Sequence, residues 1–366
     1  MTGPRVLVVG AGIIGRSVAY YASRAGAEVH LVDVDADPSA TTRASLGVLT
    51  HFNGRDDAYG TLYRDGHALH QSLAAQLQAE SGTDVGWRAI GGIDVALHET
   101  DMQAAVETSA FNKARGCAAE LLDAKGVREL EPLLREEVLG GVYFDGDHRV
   151  DPPALAAALL DSALCHGAQV SFGTAVRGFE QLDNGVRVGF ATPSGTSQAD
   201  FDFAVVAAGA WTGQLLAAGE GSQEIAVRPV RGQHCVYGGD RRLRRILRYD
   251  GHHLIPTTDG IMVGATVEDI GFDLETTAAA VTQLSQILER VLGLREASIR
   301  QRAGLRPKPR KARPIIAPLD DMPCVFVASG HYKNGVLLGP ITGQTLTAWI
   351  LDGEPGRDMS HFAIKR

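Results

Sequence analysis

Residues 6–33, VLVVGAGIIGRSVAYYASRAGAEVHLVD, read as a strand, a glycine turn, a helix and a second strand that ends in an acid. Val6 to Val9 form a continuous apolar run, the signature of a strand buried on both faces of a parallel sheet. Gly10, Gly12 and Gly15 follow in G-x-G-x-x-G spacing. Gly10 permits the tight turn, Gly12 leaves the backbone open to a pyrophosphate, and Gly15 lets the helix pack against the strand. The helix start, with Ile14 in its first turn, offers free N–H groups and a positive dipole end to phosphates. Asp33 closes the second strand 18 residues after Gly15, where a carboxylate can accept ribose hydroxyls. A tight turn in some other α/β protein would leave Asp33 without a role, so the stretch is read as a dinucleotide-binding unit.

The 366 residues exceed what one hydrophobic core usually serves, and two closely packed domains are expected. With 45% hydrophobic and 21% charged residues the composition is that of an ordinary globular protein. The 35 basic and 43 acidic residues leave a net charge of -8, which argues against a broad nucleic-acid-binding face. Cys117, Cys165, Cys235 and Cys324 are scattered without C-x-x-C or His/Cys ligand spacing, so neither a disulfide frame nor a metal site is expected. No run of ~18 apolar residues occurs, and the first apolar stretch is the nucleotide-binding strand itself, so a cytoplasmic location and no membrane partner are expected.

Working outward, the segment Asp35 to Ala44 is rich in Asp, Ser, Thr and Pro and leads into residues 44–49, ASLGVL. A loop directly after the second strand lies near the cofactor, which makes Thr42, Arg43 and Ser45 candidates for phosphate or ring contacts; on composition alone a solvated loop has equal standing. Asp57 to Ser81 predicts a long amphipathic helix with Leu62, Leu69, Leu73 and Leu77 on one side. Val85 to Leu97 predicts two short strands of a separate antiparallel sheet, and Glu99 to Ala110 and Ala124 to Glu131 predict helices. Gly140 to Phe144 predicts a strand, Pro152-Pro153 opens a helix to His166, and Gln169 to Val176 predicts another strand. A hairpin over Gly185 to Phe203 runs into a buried strand ending in Ala208-Gly209-Ala210-Trp211, where small residues let the backbone approach a ligand closely. Strands with short turns follow from Val227, then a helix over Thr277 to Leu292. Arg300 to Arg313 holds seven basic residues. A last strand over Val325 to Ala328 enters the turn Ser329 to Gly335, another natural cradle for an anion or carbonyl, and a final helix is predicted over Gly339 to Leu351.

Taken in order, GAGIIG at Gly10, TTRASLGVL at Thr41, SGTDVGWRAIGGIDVAL at Ser81, RVDPPALAAAL at Arg149, VVAAGAWTG at Val205, RPVRGQ at Arg228, VGATVEDIGFD at Val263, AGLRP at Ala303 and SGHYKNGVLLGPITG at Ser329 span nearly the whole chain. This ordered set resembles the FAD-dependent glycine oxidase and D-amino-acid oxidase family. The resemblance implies an α/β, two-domain flavoprotein: a Rossmann-like FAD-binding domain and a mostly antiparallel β-sheet substrate domain carrying helices. The expected division assigns 1–83, 143–224 and 322–366 to the FAD-binding domain, and 84–142 and 225–321 to the substrate domain. The resemblance further implies non-covalent FAD, with Asp33 on the ribose and Thr42, Leu46 and Gly47 along the flavin. Val176 would make a backbone contact near the adenine, and Gly209 with Trp211 would lie beside the dinucleotide. Gly330, His331, Lys333, Asn334, Gly335 and Leu337 would form the turn and helix start at the flavin's pyrimidine edge. Arg306, in AGLRP, would grip the substrate carboxylate, a task suited to a planar guanidinium and its two parallel hydrogen bonds.

Two positions depart from the family pattern. Lys333 stands where glycine oxidases usually carry an arginine, and His253 where they carry a tyrosine, so glycine is not the assumed substrate. Both are candidates for substrate contact or for a part in the chemistry, as a packed ring or surface amine is for the alternative. The implied reaction is oxidation of an amine next to a carboxylate, with hydride transfer from Cα to flavin N5, an imine that hydrolyses, and dioxygen as acceptor giving hydrogen peroxide. No side-chain base is obligatory. Three alternatives stay open: a same-fold dehydrogenase using a quinone, a biosynthetic oxidase of an N-substituted glycine, and an FAD-binding protein without turnover. A homo-oligomer is also left open.

Overall fold

A computed structural model describes residues 3–35, 40–51, 54–217, 225–239 and 243–364. The middle of the Asp35 to Ala44 loop, residues 36–39, lies outside them.

The glycine unit forms as expected and nucleates a six-stranded sheet. Arg5–Val9 pairs in parallel with Glu28–Asp33 on one side and Phe203–Val206 on the other. Gln169–Phe172 and Val325–Ser329 extend the parallel array at its two ends, and Ile315–Pro318 adds one antiparallel edge strand. Val6, Leu7, Val8, Ala204, Val205 and Val327 are inaccessible to solvent, as continuous apolar strands covered on both faces require. One face carries the helices Ile13–Arg24, Ala58–Ser81, Pro152–Cys165 and Gly335–Asp352, which share a single apolar core. The other is covered by a three-stranded meander, Ala175–Leu182, Gly185–Thr192 and Gly195–Phe201.

The second large element is an eight-stranded, mostly antiparallel sheet. Its strand order is Ser298–Pro309, Val227–Gly238, Gly260–Gly264, His252–Pro256, Ile246–Tyr249, Gly92–Ala96, Gly140–Phe144 and Glu120–Asp123. Helix Ala278–Leu292 buries Leu284, Leu288 and Val291 against Tyr237, Leu254 and Val263 of this sheet. A small sheet of Val48–Leu49, His148–Arg149 and Arg88–Ala89 bridges the two halves.

Several expectations are corrected. Arg88–Ala89 and Gly92–Ala96 belong to different sheets, because Gly91 at φ 68° turns the chain between them. Gly173, at φ 66°, likewise splits the expected strand over Gln169 to Val176 into two strands of two sheets. Four of the seven basic residues from Arg300 lie within the strand Ser298–Pro309, and their recurrence at 300, 302, 306 and 308 follows the two-residue period of a strand face. The last helix starts four residues before the expected Gly339, with Pro340 inside it. Added Cβ atoms at Gly339 and Gly343 would press on Ser17, so the two helices cross closely there, and that packing outweighs the hydrogen bond proline removes. Two expected boundaries cut structural units: 143 falls inside the strand Gly140–Phe144, and 321 lies after Ile315–Pro318, which pairs in the six-stranded sheet.

Candidate active site

Two cavities of about 290 and 360 Å3 meet between the sheets, sharing Ile13, Thr41, Thr42, Tyr332 and Gly335 on their walls. The larger runs along the carboxyl ends of the parallel strands. Gly10, Gly12, Ile14, Asp33, Val176, Gly209, Trp211 and His331 line it, together with Thr42. Gly10 adopts φ 105°, and a Cβ there would lie 2.5 Å from the Ala207 carbonyl oxygen, so only glycine fits this turn. The Ala11 N–H donates to the Asp33 carboxylate at 2.5 Å, which fixes the acid at the turn. The Ile13 N–H donates to Thr42 Oγ1 at 3.1 Å, tying the loop to the helix start.

The smaller cavity lies toward the eight-stranded sheet. Ser45, Leu46, Gly47, Lys333 and Asn334 form one side, and His253 and Arg306 come from the sheet. Strand Ser298–Pro309 assembles this junction. Leu305 accepts a hydrogen bond from Thr41 Oγ1 at 2.8 Å, and Arg302 donates to the Arg43 carbonyl at 3.2 Å. A Cβ at Gly304 would lie 2.8 Å from the Thr41 Cα, so glycine is what allows the strand to approach the loop. Asn334 Nδ2 donates to the Tyr59 hydroxyl at 2.7 Å, fixing the turn ahead of the last helix.

Four candidates do not line either cavity. Gly15 sits under the turn, where a Cβ would overlap the Gly10 carbonyl oxygen. Arg43 offers its carbonyl to Arg302, and Gly330 makes the φ 76° turn after the last parallel strand. Leu337 is buried, and its carbonyl accepts from His70 Nε2 at 3.0 Å. These act on the shape of the site rather than on its surface.

Charge in the smaller cavity is one-sided: Arg306 and Lys333 line it, and no carboxylate does. Arg306 donates to the Thr266 carbonyl at 3.0 Å and forms no ion pair among the described residues. Burial lowers its pKa, and partial desolvation followed by the charges of Arg306 and Lys308 lowers that of the more exposed Lys333. His253 lies opposite Arg248 and Gly264 in the sheet. Burial, then the charge of Arg248, which is held by Asp94 and Asp147, brings the His253 pKa down to about 3. A ring that weakly basic is neutral at ordinary pH and suited to hydrogen bonding rather than to taking a proton from an ammonium group.

Sequence reasoning missed Gly232, Tyr332, Thr50 and Tyr63, all on the smaller cavity's wall. A Cβ at Gly232 would overlap the Arg306 guanidinium, so this glycine opens the space the arginine fills. A glycine inside the strand-like run RPVRGQ was the available signal. Tyr332, at φ 52°, is one of the rare non-glycine residues in this conformation, which no sequence pattern marks.

The residues present fit an FAD. The larger cavity has a glycine turn, an uncapped helix start at Gly12 and an acid at the second strand's end. His331, 2% exposed, has an unpartnered Nδ1 while its Nε2 meets Thr342 Oγ1 at 3.0 Å. A buried ring nitrogen without a partner on a cavity wall calls for a polar ligand atom. Among the described residues no group of three or more His, Cys, Asp or Glu is placed to hold a metal, and no helix is long and apolar enough to cross a membrane.

Comparisons with known proteins agree with this geometry. The chain is 30% identical over 356 residues to the glycine oxidase of Bacillus licheniformis, covering 95% of this chain and 93% of the relative. Its fold is similar to glycine oxidase from Geobacillus kaustophilus, with a TM-score of 0.91 and 26% identity over 99% of both chains. It is also similar to iminodiacetate oxidase from Chelativorans sp., with a TM-score of 0.86 and 27% identity over 98% of both. Residues 5–349 match the model of the FAD dependent oxidoreductase family, and the chain belongs to that family as an FAD-dependent amine oxidoreductase of the glycine oxidase type.

Proposed function

We propose that this enzyme oxidises an amine α to a carboxylate: a glycine, D-amino acid or N-substituted glycine. The observation that carries this is the Arg306 guanidinium, without an ion-pair partner among the described residues, on the wall of a cavity that opens onto the dinucleotide groove. Residues 3–83, 145–217 and 315–364 hold the FAD, through Asp33, Thr42, Val176, Gly209, the Leu46 loop and the His331 to Gly335 turn. The remaining strands and helices form the substrate wall.

Bound FAD supplies acceptance of two electrons and their onward transfer to dioxygen. Arg306 binds the substrate carboxylate through its fork and thereby fixes the reacting carbon beside the cavity junction. Thr266 and the Arg231 carbonyl hold the guanidinium's other edge, Thr266 accepting at 3.0 Å and Arg231 at 3.4 Å. The concentration of positive charge at Arg306 and Lys333 favours a substrate nitrogen in its neutral, reactive form. His253, neutral, offers a ring nitrogen as a hydrogen-bond partner. Overall, R–NH–CHR′–COO⁻ with O2 and H2O gives the amine, a 2-oxo acid and H2O2. The names of the relatives, glycine oxidase and iminodiacetate oxidase, support an amine flanked by a carboxylate.

The test is anaerobic mixing of the flavoprotein with glycine, D-amino acids and N-alkylglycines. Bleaching of the flavin by members of this set, and not by amines lacking the carboxylate, is the expected result. Equal bleaching by both kinds would remove the role assigned to Arg306.

A further inference from the structure

Within the eight-stranded sheet most arginines are neutralised by acids, Arg302, which donates to the Arg43 carbonyl, being an exception. Arg228 meets Asp269, Arg231 meets Glu268 and Asp273, Arg248 meets Asp94 and Asp147, and Arg300 meets Asp259. Arg306 and Lys333 on the wall of the smaller cavity, and Lys308 near Tyr332 beside them, are not neutralised either. Among the described residues Arg306, Lys308 and Lys333 have no ion-pair partner. Glu268, the acid whose charge reaches Arg306, is already bonded to Arg231, Gln233 and Thr266.

The three are arranged in depth. Arg306 and Lys308 are two residues apart on one strand and so point to the same side of the sheet. Tyr332 stands between the lysines: Lys308 Nζ lies 5.6 Å and Lys333 Nζ 5.7 Å from its ring centre. Lys333 is exposed, while Arg306 is half-buried farther along the same wall. One carboxylate would satisfy Arg306 and leave Lys333, with Lys308 near it at the Tyr332 ring, without an anion on the cavity wall.

We propose that the site takes an amino acid bearing a second carboxylate, Arg306 holding the one beside the reacting carbon and Lys333, backed by Lys308, holding the other at the cavity mouth. The assignment rests on the amine-oxidation reading above and narrows its substrate class to dicarboxylates such as N-carboxyalkyl glycines or acidic D-amino acids. Lysine suits the outer position, since a flexible point charge can follow a carboxylate on chains of different length, whereas the planar fork of Arg306 demands one geometry.

The experiment compares pairs matched in chain length in anaerobic flavin reduction: N-(carboxymethyl)glycine against N-propylglycine, and N-(2-carboxyethyl)glycine against N-butylglycine. The acidic member of each pair should show at least a tenfold higher kcat/KM, and the advantage should shrink as salt is raised. Lys333→Met should cut the acid-to-neutral ratio about tenfold, and Lys308→Met should cut it less. Glutarate should perturb the flavin absorbance at lower concentration than butyrate, a binding readout independent of turnover. Neutral members that match or surpass their acidic partners overturn the second-carboxylate subsite while leaving amine oxidation standing. So does a Lys333→Met variant that slows both members equally, or that slows only reoxidation by dioxygen. If no amino acid of either kind reduces the flavin, the amine-oxidation reading falls, and the subsite falls with it.

Discussion

Replacing Gly232 by alanine tests the position of Arg306 without touching it. The strand Val227–Gly238 pairs Gly232 with Gly304 and Val230 with Arg306, and a Cβ on Gly232 would fall within the space of the guanidinium carbon and both its terminal nitrogens. Ordinary nonbonded contact needs about 3.5 Å, so the guanidinium must swing away by more than about 1 Å. The obstructed atoms are the end of a flexible side chain, and Gly232 is not among the glycines with positive φ, so the backbone can stay in place. The fold and the FAD should therefore be retained. A charge-assisted hydrogen bond is worth about 1.5–3 kcal/mol, which translates into a roughly ten- to hundredfold loss in kcat/KM for carboxylate substrates. Arg306→Ala should lose a similar amount, and the double variant little more than either, because both remove one interaction. Stopped-flow flavin reduction over a range of substrate concentrations provides the assay. Full kcat/KM in Gly232→Ala together with a loss in Arg306→Ala would show that the guanidinium works from another position. Full activity in both would refute the carboxylate clamp.

The purified protein should be yellow and should release intact FAD on acid or heat denaturation, since none of its four cysteines lines either cavity; flavin that stays with the precipitated chain would contradict this. His253→Gln should keep flavin reduction within a few-fold of the parent, and the parent's rate should show no histidine ionisation between pH 5 and 9, because the ring's pKa is near 3; a hundredfold loss would make it the base. Stability should fall steeply as pH drops from 6.5 toward 4. His67, His70 and His234, with pKa values of about 4, and His253 and His331, at about 3, stay neutral in the fold while the unfolded chain takes up protons. Each such group removes up to about 1.4 kcal/mol per pH unit across that window, and a melting temperature unchanged from pH 7 to 5 would contradict their burial.

The dinucleotide unit was legible because its parts are local: an apolar strand, three glycines at fixed spacing and an acid within 28 residues each constrain the next. The AGLRP and SGHYKNG motifs likewise marked where Arg306 and Lys333 would stand. What stayed hidden was non-local. That Gly232 makes room for Arg306 depends on pairing between strands some seventy residues apart, and that Gly304 admits the Thr41 loop depends on a contact across the two sheets. The last helix begins before the expected Gly339 and runs through Pro340, a residue suited to a first turn, because it is buried against the helix Ile13–Arg24. Two sheets were read as one over Val85 to Leu97 because short strands carry no mark of their partners.

The reaction proposed for this site breaks a C–H bond at the carbon between nitrogen and carboxylate. Anaerobic stopped-flow reduction of the flavin with an N-substituted glycine, ordinary and deuterated at that carbon, tests it most directly. Reduction that is markedly slower with the deuterated compound, followed by one hydrogen peroxide per flavin on admitting oxygen, is the predicted result. Equal rates for the two compounds at saturating concentration, or no reduction by any amino acid carrying hydrogen at that carbon, would contradict it.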